Sequence, residues 1–195
     1  RELKKQALSS GHRGALTRIP GLTSGEIITI MLLFHESPCR NFKFFYTSYL
    51  SLYRQDFPAM PTYERFVALM PRVVTLLAVL LCTLFSKSKG TAYIDATSIT
   101  VCHPKRISRN KVFKGIAALG KTTKGWFFGL KLHAIINEKG SLIRAKLTPG
   151  NRDDRSVVSQ MTQGLTGLLF GDKGYISKEL FLKLYRRGLK LVTGI

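Results

Sequence analysis

Acid is scarce in this chain. Eleven Asp and Glu stand against 31 Lys and Arg, a formal net charge of +20 over 195 residues. The imbalance argues against a binder of basic ligands and favours a polyanionic partner, held through phosphate neutralisation and counterion release. An anionic membrane surface is the competing reading. The excess is spread along the chain, 12 basic against 5 acidic residues over 1–90 and 19 against 6 over 91–195. Cysteine is sparse too. Cys39, Cys82 and Cys102 are odd in number and form no CxxC, which argues against a disulfide framework or a zinc ribbon and points to a reducing compartment. Cys102 and His103 are adjacent, but no second pair accompanies them to complete a zinc site. The longest apolar run, Val73 to Phe85, is 13 residues with two threonines inside. A membrane helix needs about 20, so the run reads as a buried helix. The opening Arg1-Glu2-Leu3-Lys4-Lys5 leads into polar Ser and Gly with no secretory signal legible, and a cytoplasmic location follows as the expectation. There is no internal repeat and no low-complexity segment. Apolar residues at 45% and charged residues at 22% are globular values.

What is present divides at a change of period. Residues 1–20 are polar and basic and read as an arm. Thr23-Ser24-Gly25-Glu26 fits a capping box, with Ile27 to Phe34 forming the helix it opens. An aromatic-rich helix is expected over 40–54, a third from Pro61-Thr62 through Leu69, and a fourth from Pro71 to near Phe85. After the polar linker 86–90 the pattern becomes strand-like. Strands are expected at 91–99, 126–136 and 141–148, the last two joined as a hairpin through Asn137-Glu138-Lys139-Gly140. A helix over 153–164, a buried strand 167–172, a helix 177–187 and a strand 189–195 complete the order. This is a mixed α/β sheet behind an all-helical region, with a helical DNA-binding region at 1–89 and a catalytic domain at 90–195.

Two of the few acids stand where acids are costly. Asp95 lies inside Tyr93-Ile94-Asp95-Ala96-Thr97, and Asp172 follows Leu168-Leu169-Phe170-Gly171 at the carboxyl end of a strand. A carboxylate in an apolar, β-prone run loses hydration, which a cation or a reaction can offset. If the two strands are neighbours, the aspartates converge, and a divalent cation such as Mg²⁺ relieves their mutual repulsion. Local backbone capping is the alternative duty for both.

A resemblance then becomes specific. The runs Tyr93-Ile94-Asp95-Ala96-Thr97, Lys111-Val112-Phe113-Lys114-Gly115, Gly125 to His133, Leu147 to Asp154 and Gly171-Asp172-Lys173-Gly174-Tyr175-Ile176 resemble, in order, the DDE transposases of bacterial insertion sequences. Residues 20–85 resemble that family's N-terminal region more weakly. The resemblance implies a ribonuclease-H-like domain whose Asp-Asp-Glu triad binds two Mg²⁺ (or Mn²⁺) for DNA cleavage and strand transfer. Asp95 matches the first aspartate and Asp172 the second, as catalytic and metal-binding residues. It also implies double-stranded DNA partners, the terminal inverted repeats and target DNA, and a homodimer assembled on them, with a bacterial, nucleoid-associated location and no membrane. The family's glutamate lies well downstream of the second aspartate. Here the only acid after Asp172 is Glu179, seven residues on, which reads as a solvated helix residue. The chain is therefore expected to be a C-terminally truncated transposase, inactive alone. A non-catalytic DNA-binding remnant and a hydrolytic nuclease on the same fold are the rival readings.

The span 103–124 holds Lys105, Arg106, Arg109, Lys111, Lys114, Lys121 and Lys124 and no acid, and is expected to be a DNA-contacting loop or, more plainly, a solvated one. His133 reads as structural or site-adjacent, and Asp153 and Asp154 as capping residues of the following helix. Trp126 and the two phenylalanines after it read as core.

Overall fold

The computed structural model describes residues 21–123 and 125–194. The chain divides into two compact units, Arg1–Leu81 and Cys82–Ile195.

In the first unit, helix α1 (Ser24–Glu36) opens on the capping box that the spacing of Thr23 and Glu26 announces. The Glu26 carboxylate accepts from the Thr23 backbone N–H at 2.6 Å while the Thr23 hydroxyl accepts from Glu26 N at 3.2 Å. These bonds lower the Glu26 pKa from its ordinary value. The aromatic segment does not form one helix. It splits into α2 (Phe42–Thr47) and a 3-10 turn, Tyr49–Tyr53. Its rings interlock with those of α3 (Tyr63–Leu69), Tyr46 and Phe66 lying 4.7 Å apart. Phe45, Leu50 and Phe66 are fully buried there, so these aromatics are core. Burial pushes the Tyr46 hydroxyl up to about 12.

The fourth helix departs from expectation. A 3-10 turn at Met70–Val73 leads into α4 (Val74–Thr83), none of whose residues is buried. Together Tyr63–Thr83 is a helical stretch of 21 residues, long and apolar enough by length and composition to cross a membrane. Phe66, Leu69 and Val73 belong to the unit's core, however, so the stretch is a core helix whose second half lies uncovered. Apolar composition signals what a helix prefers to touch, not whether a neighbour is there to touch it.

The second unit is a mixed sheet. Its strands are β1 (Thr91–Cys102), β2 (Ala118–Thr122), β3 (Gly125–Asn137), β4 (Leu142–Pro149), β5 (Gly167–Gly171) and β6 (Leu189–Thr193). β1 and β4 flank β3 antiparallel, and β5 and then β6 continue parallel to β1. The order β4-β3-β1-β5-β6 is the ribonuclease-H-like arrangement. Helices α5 (Arg155–Met161) and α6 (Lys178–Tyr185) fill the crossovers. Ala92, Ile94, Ile135, Leu169 and Leu191 from the strands meet Val157, Val158, Leu180 and Leu184 from the helices in one core. Alternation sends Tyr93, Leu147 and Leu168 to the opposite face, where they stay exposed.

β2 is the strand that sequence reasoning misses. Ala118-Leu119-Gly120-Lys121-Thr122 has no apolar alternation, and pairing with the first residues of β3 holds it in place. A Cβ on Gly120 would strike the Gly150 carbonyl and the Phe127 ring. The close passage of β2 past the end of β4 thus requires glycine. The expected loop 103–124 is in fact a 3-10 helix (Pro104–Arg109), a turn region and β2.

Candidate active site beyond the β1–β5 ladder

β1 and β5 are adjacent and parallel, with Tyr93 opposite Phe170 as the last pair. Their rings stack at 5.3 Å, so the two side chains share a face. Carried two residues further, that register aligns Asp95 with Asp172, and paired strands lie about 4.8 Å apart. The ladder stops before them. Asp95 stays in β1, paired to Ala134 of β3, while Asp172 opens the 3-10 turn Lys173–Tyr175. Both are exposed. One oxygen of Asp95 accepts from Ala96 N at 2.7 Å, and one of Asp172 accepts from Gly174 N at 2.9 Å. Each carboxylate thus makes the local backbone bond of a capping role.

Tyr175 ends the turn that Asp172 opens. Its backbone N–H donates to the Asp172 carbonyl at 3.1 Å, and its ring packs against Gly171 on the helix-covered face. The residue is 2% exposed, and its hydroxyl has no hydrogen-bond partner among the described residues. Burial pushes the hydroxyl pKa up, and the nearby carboxylates of Asp154, Asp95 and Asp172 push the same way.

Asp154 differs from its neighbour. Asp153 does the local work, accepting from Arg155 N at 2.9 Å and pairing with the Arg155 guanidinium at 2.6 Å. Asp154 stands at the N-cap of α5, but its side chain makes no capping bond. It turns instead to Lys131 on β3, 2.9 Å away, with the His133 Nδ1 at 3.9 Å. This corrects the capping duty expected for Asp154. His133 is fully buried, its Nε2 2.8 Å from the Thr148 hydroxyl. Burial lowers its pKa, opposed by Asp154 and reinforced by Lys131 and Lys146.

Of the basic residues singled out, Lys105, Arg106, Arg109, Lys111, Lys114 and Lys121 are exposed, and none is in an ion pair among the described residues. Lys124 lies outside the described residues. Lys121 sits 5.7 Å over the ring of the exposed Trp126. The two line an open cavity of about 420 Å³ with Lys131, Arg152 and Asp154. The exposure of Trp126 corrects the core position expected for it. It lies on an edge hairpin whose second strand is recognisable only through pairing, and that hides its exposure from the sequence.

Two aspartate side chains supply hard oxygen donors of the kind Mg²⁺ and Mn²⁺ take. Among the described residues no group of three or more His, Cys, Asp or Glu is close enough together to hold a metal ion. The donor chemistry of Asp95 and Asp172 suits such an ion.

The fold is a ribonuclease-H-like α/β domain with Asp95 inside β1 and Asp172 just past β5, both beyond the point where the β1–β5 ladder stops. The chain belongs to the transposase DDE-domain family, whose model matches residues 85–195. Members of that family are DNA-cleaving enzymes that use divalent metal ions. No curated protein matches the chain. Among solved structures, a piggyBac transposase in a synaptic complex with hairpin DNA is similar at 10% identity and a TM-score of 0.49, over 97% of this chain and 45% of that chain. This chain thus spans less than half of that protein's length.

Proposed function

We propose that this chain is the metal-binding and DNA-binding part of an insertion-sequence transposase, with Asp95 and Asp172 holding Mg²⁺ or Mn²⁺. The observation that supports it best is the parallel pairing of β1 with β5, whose register aligns the two aspartates at the end of the ladder. When bound, such ions activate the attacking oxygen and stabilise the leaving oxygen of a phosphodiester. The chain's own residues do the positioning. The exposed cations of 105–121 neutralise phosphates and fix the register of duplex DNA, terminal repeat or target, relative to the aspartates. Trp126, with Lys121 above it, offers a flat apolar surface suited to an unpaired base. Assembly as a homodimer on DNA belongs to the same reading.

A non-catalytic DNA-binding role is the second reading, favoured by the lack of a three-carboxylate cluster among the described residues. A strand-transfer assay with DNA bearing the element's ends separates the two. Metal-dependent cutting that is lost in Asp95→Ala supports catalysis by this site. DNA binding that ignores metal and survives Asp95→Ala and Asp172→Ala together supports the remnant.

A further inference from the structure

We propose that the turn 110–116 is a wedge for duplex DNA, whose apolar tip, Val112, enters a base step while the flanking cations hold the phosphates on either side. The inference rests on the reading of 105–121 as a DNA-contacting segment, and it adds what the apolar residues of that segment do.

It starts from an apolar side chain in an unfavourable place. Val112 is 80% exposed, more than any other large apolar side chain among the described residues, and Ile116 is 56% exposed. A single exposed valine is ordinary on a protein surface. This one differs in its neighbours and in its mounting. Lys111 and Lys114 flank it in the turn, Arg106 and Arg109 precede it, and all four are exposed. The chain carries no Asp or Glu between Asp95 and Glu138. An apolar tip ringed by cations matches the two layers of a duplex, charged phosphates outside and stacked bases within.

The turn is braced from inside. The Asn110 side-chain oxygen accepts from the Phe113 backbone N–H at 3.1 Å, and the Phe113 carbonyl accepts from Ile116 N at 3.1 Å and Ala117 N at 2.9 Å. Gly115 holds a φ of +80°, a conformation in which a side chain would be strained. Valine is itself stiff at χ1, so the tip loses little freedom on insertion compared with a long flexible side chain. Room for a displaced base lies alongside. An open cavity of about 570 Å³ is bordered by Lys111 and Lys114 and walled by the apolar Ile107, Ala117 and Phe128. That volume is in the range of small-ligand pockets, and an apolar wall with a cationic rim suits a base still joined to its phosphates.

The test is the fluorescence of 2-aminopurine placed beside a central mismatch in a short duplex, with and without saturating 195-residue chain. Unstacking brightens this base, and the mismatch localises the event because a mispaired base costs least to displace. The native chain should brighten the probe several-fold and bind the mismatched duplex on the order of tenfold more tightly than the matched one. Both effects should vanish in Val112→Ser and persist in Val112→Leu. The slope of log affinity against log salt should stay the same throughout, because no charge changes. Val112 is exposed, so neither substitution disturbs a core. Brightening by Val112→Ser equal to that by the native chain overturns the wedge while leaving DNA binding by the basic segment standing. Native binding without brightening does the same. Absence of DNA binding by the native chain sinks that reading and the wedge together. Vesicles containing phosphatidylserine supply the remaining arm: if Val112→Ser loses vesicle binding yet still brightens the probe, the tip serves an anionic membrane and the proposal falls.

Discussion

Inside the sheet, His133 has exchanged water for Thr148, and its surroundings hold it neutral. Burial lowers its pKa from 6.5, Lys131 and Lys146 act in the same sense, and only Asp154 opposes. A base with a lowered folded pKa binds fewer protons folded than unfolded, so its contribution to stability is intact above the unfolded value and lost as pH falls below about 6.5. Urea unfolding between pH 5 and 7 should show stability falling toward acid, with a flatter profile in His133→Gln. An equal slope in the variant would place the titrating group elsewhere. Individual acids are legible in the sequence to different degrees. Asp95 and Asp172 stand out because each interrupts or ends an apolar β-prone run. Asp154 does not, because an aspartate two residues after Arg152 and just before a helix has an ordinary capping explanation, and only the fold brings Lys131 within 2.9 Å. Tyr175 is visible in the sequence only as a letter in a motif. Its burial in the sheet's core, against Gly171, is a property of the turn after β5.

Whole elements are read more securely where periodicity and packing agree. The hairpin of β3 and β4 and the crossovers α5 and α6 lie where alternation and capping put them. β2 escapes because a strand held by one partner carries little signature of its own. α4 reads as buried because composition cannot report a missing neighbour. Leu169, on β5 with no exposure, sits at the centre of the core. Leu169→Ala should cost about 2–5 kcal/mol of unfolding free energy, readable as a lowered urea midpoint with an unchanged slope. The basic 3-10 helix and the turn after it make a different kind of claim. Replacing Lys105, Arg106, Arg109 and Lys111 by Gln should reduce the slope of log affinity against log salt by about 3–4, roughly one for each phosphate no longer neutralised. A slope unchanged by the four substitutions would remove this segment from the DNA interface.

For the molecule as a whole, two cores that share no residue, one helical and one built on the sheet, carry a formal charge of +20. Purified alone, the chain should bind DNA and a divalent ion yet fail to join DNA ends in Mg²⁺ or Mn²⁺, because a site with few carboxylates fixes a second ion poorly. A misplacement of reacting groups by about 1 Å can already cost on the order of 100-fold. Robust joining that vanishes in Asp95→Ala would contradict this. The short β1–β5 ladder also sets an order of events in time. β3 and β4 are joined by a short turn, whereas joining β5 to β1 brings together positions 95 and 172, which are 77 residues apart. Contacts of such long range form late, after the loop between them has lost its freedom. The seam that aligns the two aspartates is therefore among the last to close during folding, and Mn²⁺ added during refolding should be captured only in the slowest phase, after the hairpin has formed.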